Sequence, residues 1–387
     1  MTTEERIAAL HPEMTAWRRD LHAHPETAFE EHRTSAFVAD KLKSFGLDVA
    51  QGLAGTGVVG ILRGKRGGKR AIGLRADMDA LHIHEETNKP YASQVEGKMH
   101  ACGHDGHTTM LLGAAKALAE TRDFAGTAYF IFQPAEENEG GGRVMVEQGL
   151  FDKFPLEAVY GMHNWPGLPE GHVAVKVGPM MAACDIFELT ITGRGAHGAM
   201  PHQGIDPVVA GAQIVMALQT IASRNVDPLE SVVVSVTQIH GGDAWNVIPE
   251  HVTLRGTVRS FKPQVQDVAE ANIGRVAKGV AAGLGAEVEM RYERRYPATV
   301  NSEAETRNAG RIAASVVGAD RVVEGITPSM GSEDFAFMLE RRPGSYVWLG
   351  AGEDQPNLHS PHYDFNDDIL PIGASYWARL VEVTLKG

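Results

Sequence analysis

Apolar runs long enough to form buried strands alternate with helix-like segments along the first 180 residues. Helical patterns cover residues 6–45, 108–120 and 140–149, with a break near His24 and Pro25. The apolar runs fall at residues 58–62, 71–74, 128–132, 158–162 and 173–177. This alternation favours an α/β fold class, in which a mixed, mostly parallel sheet is flanked by helices.

The segment from residue 183 to residue 294 has a different order of elements. Strands are predicted at residues 185–192, 232–239, 252–258 and 287–292, and helices at 206–223 and 265–283. The order strand–helix–strand–strand–helix–strand is that of a ferredoxin-like βαββαβ unit. The first pattern then resumes at residues 303–317, 333–339, 346–349 and 369–386. We therefore predict one domain of residues 1–182 and 295–387 and an inserted domain of residues 183–294.

Acidic or imidazole side chains follow three of the predicted strands in the first domain. Asp77 and Asp79 follow one strand, Glu136 and Glu137 follow the next, and His163 follows a third. In open α/β sheets, functional sites lie beyond the carboxyl ends of the strands. We therefore expect these five side chains to converge on one crevice.

Two further segments add thiol and imidazole groups. Cys102 and His104 precede the helix predicted at residues 108–120, and residues 359–362 carry two histidines near the end of the chain. A lone histidine is more often a surface or core residue, and a lone cysteine is more often a small buried apolar residue. Cysteine, histidine and glutamate from separate loops are together typical of a transition-metal site. Cys184 has no such neighbours, and we interpret it as a core thiol.

The adjacent glutamates suggest a reaction. Successive side chains on an extended segment point in opposite directions, so Glu137 can face a metal while Glu136 faces a water molecule, or the reverse. A divalent metal lowers the pKa of a water that it binds, and a nearby carboxylate can take its proton. This is chemistry for amide hydrolysis, without the helical HExxH spacing of other metallohydrolases.

The composition excludes several other classes of protein. Lysine and arginine total 36 against 49 acidic residues, a formal net charge of −13, which argues against a general binder of nucleic acid or anionic membranes. The two cysteines exclude a disulfide scaffold, while 17 histidines supply many possible metal ligands. No uncharged apolar run reaches the ~18–20 residues of a membrane span, and the first residues lack a signal-peptide core. We expect a cytoplasmic protein.

Eight ordered motifs extend over almost the whole chain. They are DLHAHPE (20–26), RADMDAL (75–81), CGHDGH (102–107), QPAEE (133–137), GAHGAMPH (195–202), NVIP (246–249), MGSEDF (330–335) and HSPH (359–362). This set resembles the dinuclear metallo-amidohydrolases that include aminoacylases and metallocarboxypeptidases. It is most similar to the branch that contains hippurate hydrolase, N-acyl-amino-acid amidohydrolases and indoleacetyl-amino-acid hydrolases.

The resemblance implies two divalent metal ions, which could be zinc, manganese, cobalt or nickel. The ligands that it implies are Cys102, His104, Glu137, His163 and His362. Glu136 is implied as the general base. Asp77 and Asp79 are expected to orient the ligating imidazoles, with His107 beside them, since such supporting partners are usual around metals.

The resemblance also implies a homodimer or a higher homo-oligomer, assembled through the inserted domain, which then acts as a dimerisation and lid domain. His197 of that domain would reach the partner's active site and stabilise the tetrahedral oxyanion. Asn246 is expected to contact polar groups of the substrate, and Gly331 and Ser332 to line the substrate cleft.

The predicted reaction is hydrolysis of an N-acyl amino acid, such as an N-acetyl or benzoyl derivative, to a carboxylic acid and a free amino acid. A dipeptidase or carboxypeptidase of the same superfamily is one alternative. A second is a metal- or peptide-binding relative without catalysis. That second reading is disfavoured because a binding protein needs the ligands but has no need of the base, and both Glu136 and Glu137 are present.

Overall fold

The computed structural model describes residues 1–137 and 139–387, and in it the chain forms two compact units. Unit 1 comprises Met1–Met180, Val300–Thr327 and Asp334–Gly387, and unit 2 comprises Met181–Thr299 and Pro328–Glu333. The short segment at 328–333 differs from the predicted boundaries, which placed it in the first domain. It belongs to unit 2 because the Ala182 N–H donates to the backbone carbonyls of Ser329, at 3.1 Å, and Gly331, at 2.9 Å.

The helices and strands follow in chain order. The first part of unit 1 contains α1 (Thr3–Ala23), α2 (His32–Ser44), β1 (Asp48–Leu53), β2 (Gly57–Arg63), β3 (Ala71–Asp77), α3 (His104–Thr121), β4 (Thr127–Gln133), α4 (Gly141–Glu147), α5 (Leu150–Lys153), β5 (Ala158–Pro166), β6 (Val173–Val175) and β7 (Gly178–Met181). Next come β8 (Ala183–Thr192), β9 (Ala196–His197), α6 (Pro207–Leu218), β10 (Val232–His240), β11 (Val247–Ile248), β12 (His251–Ser260), α7 (Pro263–Gly283) and β13 (Glu287–Tyr296). The chain ends with β14 (Thr299–Asn301), α8 (Glu303–Val317), β15 (Val322–Glu324), α9 (Ala336–Leu339), β16 (Gly344–Gly352) and α10 (Leu370–Thr384).

Unit 1 is built on an eight-stranded sheet in the order β1-β2-β4-β3-β5-β16-β6-β15. The four central strands, β4, β3, β5 and β16, are parallel to one another, while β1 and β2 are added antiparallel at one edge. This is the mixed, mostly parallel sheet that the alternation of strands and helices predicts. The parallel arrangement brings the carboxyl ends of β3 and β4 to the same edge.

Burial explains why these segments fold as they do. Every residue of β3 is buried, as expected for a central strand that is covered on both faces. Helix α3 is buried from His104 to Ala115, which is typical of a helix that is apolar on nearly every side. Helices α1 and α10 pack against it, and the buried Trp377 of α10 belongs to this core. The start of α3 is thereby fixed against the sheet.

Unit 2 has a four-stranded antiparallel sheet in the order β10-β12-β8-β13. Its main elements follow as β8-α6-β10-β12-α7-β13, the order of a ferredoxin-like βαββαβ unit. Burial alternates along β8, where Phe187, Leu189 and Ile191 are buried with residues of α6 and α7 in one apolar cluster. A small ladder of β9 and β11 lies outside this sheet.

Candidate metal centre

Three side chains of unit 1 bring sulfur and nitrogen donors together. Cys102 precedes α3, His104 is the first residue of α3, and His163 lies in β5. Their donor atoms lie within 4.8 Å of one another, and the Cys102 Sγ is 3.4 Å from the His163 Nε2. All three side chains are buried. Thiolate and imidazole donors at this spacing suit a transition metal.

The loop after β4 adds carboxylates to the same cluster. Donor atoms of His104, Glu136 and Glu137 also lie within 4.8 Å of one another, as do those of Cys102, Glu137 and His359. The groups overlap at Cys102, His104 and Glu137. The three groups therefore form one continuous cluster of donor atoms.

The histidine of the final motif that joins this cluster is His359, and not the predicted His362. The His359 Nε2 lies 3.1 Å from the Glu137 Oε1, and the His359 N–H donates to the Ala101 carbonyl at 2.7 Å, directly before Cys102. The His362 imidazole is 60% exposed, and its Nε2 lies 3.5 Å from the Glu86 carboxylate. The structure therefore brings His359 to the donor cluster and leaves the predicted His362 outside it, because the backbone of this loop directs the earlier histidine inward.

Backbone carbonyls fix the orientation of the two buried imidazoles. The Nδ1 of His104 lies 2.9 Å from the Asp79 carbonyl, and the Nδ1 of His163 lies 2.6 Å from the Asn164 carbonyl. A carbonyl only accepts, so each Nδ1 carries a proton and donates it. Loss of any proton from the Nε2 would then leave the lone pair of that atom facing the cluster, as metal ligation by a histidine requires.

The environment of the His104 Nε2 gives the best test of whether a metal fits this site. Among residues 1–137 and 139–387, this buried atom has no hydrogen-bond partner. Burial lowers the pKa of His104, but the carboxylates of Asp77 and Asp79 outweigh it and raise the pKa to about 10. The metal-free imidazole therefore holds a proton at a position where a cation is favoured, so the donor set fits a bound cation.

Cys102 and His163, unlike His104, are both uncharged in the metal-free protein. Burial and the charges of Glu137 and Glu136 raise the pKa of the Cys102 thiol well above its usual value. Burial and the neighbouring His107 hold the pKa of His163 well below its usual value. His163 is thus neutral and ready to bind, whereas Cys102 must lose its proton when a metal binds, which makes metal affinity dependent on pH.

The predicted supporting residues lie behind the cluster. The Asp79 Oδ2 accepts from the Glu137 N–H at 2.9 Å, so Asp79 contacts both an imidazole and a glutamate of the cluster. Asp77 Oδ1 is 2.6 Å from the His107 Nδ1, and the other ring nitrogen of His107 lies 2.7 Å from the Asn164 side-chain oxygen. Both nitrogens of His107 are therefore engaged by the side chains of Asp77 and Asn164.

A buried polar network that sequence reasoning missed supports the loop of Glu136. The Asp334 carboxylate accepts from Arg75, at 3.0 Å, from Gln133, at 2.7 Å, and from the Gly142 N–H, at 2.7 Å. The Asp334 N–H is directed at the Glu136 Oε1 at 3.4 Å. The one signal in the sequence is Arg75, a charged residue at the end of an apolar strand.

Gly103 is required between the two donors of the CGH segment. Its φ is 93°, which is unfavourable for residues with a side chain. A Cβ at this position would lie 2.2 Å from the Asn164 Oδ1 and 2.7 Å from the Tyr363 hydroxyl. The glycine therefore allows Cys102 and the start of α3 to pack closely against β5.

The remaining predicted residues lie in unit 2, on its surface. His197 pairs with Val247 in the ladder of β9 and β11, and the Gly198 N–H donates to the Asn246 carbonyl at 2.7 Å. The structure therefore brings His197 and Asn246 together, and both are exposed. Gly331 and Ser332 lie on the separate 328–333 segment of this unit.

Across residues 1–137 and 139–387, none of the helices combines the length and the apolar character needed to cross a membrane.

Comparisons with known proteins agree with this geometry. Residues 73–383 match the model of peptidase family M20/M25/M40. The chain is 40% identical to N-acetylcysteine deacetylase of Bacillus subtilis (strain 168) over 382 residues, and 41% identical to hippurate hydrolase of Campylobacter jejuni over 380 residues, with 98% of each chain covered in both cases. The fold matches that of the Bacillus subtilis YXEP protein, a dinuclear metal-binding peptidase of the M20 family, with a TM-score of 0.86, 37% identity and coverage of 98% of this chain and 99% of that one. The chain described here therefore belongs to peptidase family M20/M25/M40.

Proposed function

We propose that this protein is a metal-dependent hydrolase that cleaves the amide bond of N-acyl amino acids, releasing a carboxylic acid and a free amino acid. The observation that carries the proposal is the overlap of donor groups around Cys102, His104 and Glu137, with a second glutamate, Glu136, beside them. Relatives that match nearly the whole chain are named as a deacetylase of N-acetylcysteine and a hippurate hydrolase, both of which act on acylated amino acids.

The cofactor is proposed to be a pair of divalent ions. Zinc, manganese, cobalt and nickel all suit a set of one thiolate, imidazoles and carboxylates. The proposed ligands are Cys102, His104, Glu137, His163 and His359. When bound, such ions polarise an acyl carbonyl and make a water molecule more acidic.

Glu136 is proposed as the general base. Its side chain is only 7% exposed, and its carboxylate lies in the same cluster as the donor atoms of His104 and Glu137. It takes the proton of the attacking water and passes it to the nitrogen of the leaving amino acid. The Asp334 N–H, directed at the Glu136 Oε1, holds the carboxylate in place during both transfers.

A homodimer assembled through unit 2 completes the proposal. Strand β10 is at the edge of its sheet, and Met216, Ile239 and Trp245 are large apolar side chains that are more than half exposed on this unit. Exposed apolar surface of this kind is typical of protein interfaces. His197 would then serve the partner's centre by stabilising the oxyanion, with Asn246 as a substrate contact. Gly331 and Ser332 remain predicted to line the substrate cleft. We also propose that the protein is located in the cytoplasm.

A substrate panel on metal-reconstituted protein tests this function. We expect hydrolysis of acetyl- or benzoyl-amino acids to exceed hydrolysis of dipeptides, to vanish after chelation, and to return with one of the four metals. Faster cleavage of dipeptides would favour a peptidase. Full activity with metal verified absent, or no hydrolysis by the fully metallated protein, would rule the proposal out.

A further inference from the structure

Besides His359, two residues that are not glycine and that share one hydrogen-bond acceptor adopt the left-handed backbone conformation. The φ angles of Phe29 and Ala135 are 62° and 53°. A Cβ makes this region unfavourable, so such residues persist where the surrounding structure holds them. Ala135 directly precedes Glu136 and Glu137, and its conformation therefore sets the directions of both carboxylates.

A single carboxylate oxygen holds both of these turns. The Glu31 Oε1 accepts from the Phe29 N–H at 3.0 Å and from the Ala135 N–H at 2.9 Å. The Glu31 Oε2 accepts from the Thr56 hydroxyl at 2.6 Å. Glu31 and Thr56 are both buried, so solvent does not compete for these hydrogen bonds.

The loop of the two glutamates is thus held on either side of Glu136. Glu31 binds the N–H of the residue before Glu136, and Asp79 binds the N–H of the residue after it at 2.9 Å. The Ala135 carbonyl also accepts from the Gly141 N–H at 2.8 Å. Both peptide groups of Ala135 are therefore fixed, and the left-handed turn is strongly determined.

We propose that Glu31 is a positioning residue for amide hydrolysis: it holds Ala135 in the left-handed conformation and thereby orients Glu136 and Glu137. The inference rests on the roles proposed for these two glutamates. Nothing in the sequence around residue 31 indicates this role, because Glu31 lies 104 positions from the residue that it holds.

The role depends on reach and on acceptor capacity rather than on charge. In Glu31→Gln, the amide oxygen keeps the same length and can accept both N–H bonds, while the amide nitrogen can donate to the Thr56 hydroxyl oxygen. In Glu31→Asp, the charge remains, but the side chain is one methylene shorter and falls short of Ala135. The two conservative variants therefore have opposite expected outcomes.

Two further variants isolate the turn itself. Ala135→Gly removes the Cβ that makes the left-handed conformation unfavourable. In the Ala135→Gly background, Glu31→Asp should therefore lower kcat and metal affinity much less than it does in the parent protein. Thr56→Val removes the third hydrogen bond and leaves both N–H bonds, so it serves as the matched control for a change in this buried pocket.

The experiment measures kcat and KM on an N-acyl amino acid, metal affinity by competition with a chelator, and thermal midpoints. We expect Glu31→Asp to lower kcat by about 10²-fold with little change in KM, since small misplacements of reacting groups have effects of this size. It should also weaken metal affinity by about 10-fold or more through Glu137, as the loss of supporting partners does. Glu31→Gln and Thr56→Val should stay close to the parent protein.

Three outcomes would overturn the inference. The first is that Glu31→Asp keeps full kcat and metal affinity, and the second is that folded Glu31→Gln loses as much kcat as Glu31→Asp. The third is that Glu31→Asp lowers kcat as much in the Ala135→Gly background as in the parent protein. If Glu31→Asp does not fold, Glu31→Gln still tests the inference, because a large loss of kcat in folded Glu31→Gln would overturn the proposed acceptor role. If the parent protein hydrolysed no N-acyl amino acid, the proposed function would fail, while the metal-affinity comparison would still test Glu31.

Discussion

The two units hold their candidate functional residues in opposite ways. In unit 1, Cys102, His104 and His163 are buried, and each imidazole is fixed by a backbone carbonyl behind it. In unit 2, His197 and Asn246 are exposed on a ladder of two very short strands. A buried and hydrogen-bonded group keeps its geometry without a partner, whereas an exposed one acquires a defined environment when something covers it.

This difference separates two kinds of function. The donors of unit 1 form a site whose geometry is set by one chain alone. The residues of unit 2 have a backbone held in place and side chains that are available to another molecule, as expected if they act on a second protomer. The predictions below test this contrast, beginning with the largest expected effect.

Replacing the proposed base should have the largest effect, because the adjacent carboxylate, that of Glu137, is proposed to be occupied as a metal ligand. We expect Glu136→Gln to lower kcat by ~10² to 10⁴-fold, the range for general acid–base catalysis, and to leave metal content unchanged. Steady-state kinetics and metal analysis of the same preparation check this. Glu139→Gln, the same change at an exposed position of the same loop, is the control and should leave both kcat and metal content unchanged. Near-normal turnover of Glu136→Gln would refute the role.

His197→Ala tests the exposed site of unit 2. Loss of one oxyanion donor commonly lowers kcat by ~10² to 10³-fold, and we expect a loss in that range with metal content unchanged. If His197 acts on the partner, mixed dimers of Glu136→Gln and His197→Ala chains each contain one intact centre. Random mixing in a symmetric dimer should then restore about a quarter of the parent activity. No recovery in verified mixed dimers would instead place His197 in the centre of its own chain.

The sequence predicts most of the metal centre because strand ends carry the information. Asp79, Glu137 and His163 follow or end apolar runs, and a parallel sheet brings such positions together. The choice between His359 and His362 could not be made in this way. Both lie in an irregular loop, and the inward turn of His359 depends on a left-handed backbone with φ of 65° and on its bond to Ala101.

Some parts of the structure cannot be predicted from the sequence pattern, because they depend on edge positions or on contacts with distant residues. Strand β1, an exposed edge strand, has neither an apolar run nor a regular alternation in its burial. The helix predicted at residues 140–149 is present as α4, whereas the short helix α5, which begins after Gly149 with φ of 85°, was not predicted. The supporting network of Arg75 and Asp334 joins residues 259 positions apart. Such long-range pairs leave little trace in a single sequence.

The two histidines of the final motif, His359 and His362, offer a matched pair of variants. We expect His359→Ala to weaken metal binding by ~10²-fold or more, beyond what the loss of a merely supporting residue usually causes, and to lower activity in parallel. His362→Ala should leave both unchanged, since its ring is exposed and faces Glu86. Competition with a chelator measures both affinities. Equal losses in the two variants, or a larger loss in His362→Ala, would restore the sequence-based assignment.

The smallest expected effect concerns stability and contrasts a buried histidine with an exposed one. Burial lowers the pKa of His22, but hydrogen bonds to Asp105 and Glu85 outweigh it and raise the pKa to about 9. A raised pKa means that the protonated ring stabilises the fold fully below about pH 6.5, and that this contribution, on the order of 3 kcal/mol, is lost as pH rises through 9. In metal-free protein, the difference in thermal midpoint between the parent and His22→Gln should therefore be several degrees at pH 6 and should shrink by pH 9.5. His251→Gln in unit 2, where the ring is exposed beside Thr192, is the control for the same substitution at an exposed position. A difference for His22→Gln that stays constant or grows with pH would mean that the buried ring is neutral, and that the network around Asp105 is held by its hydrogen bonds rather than by charge.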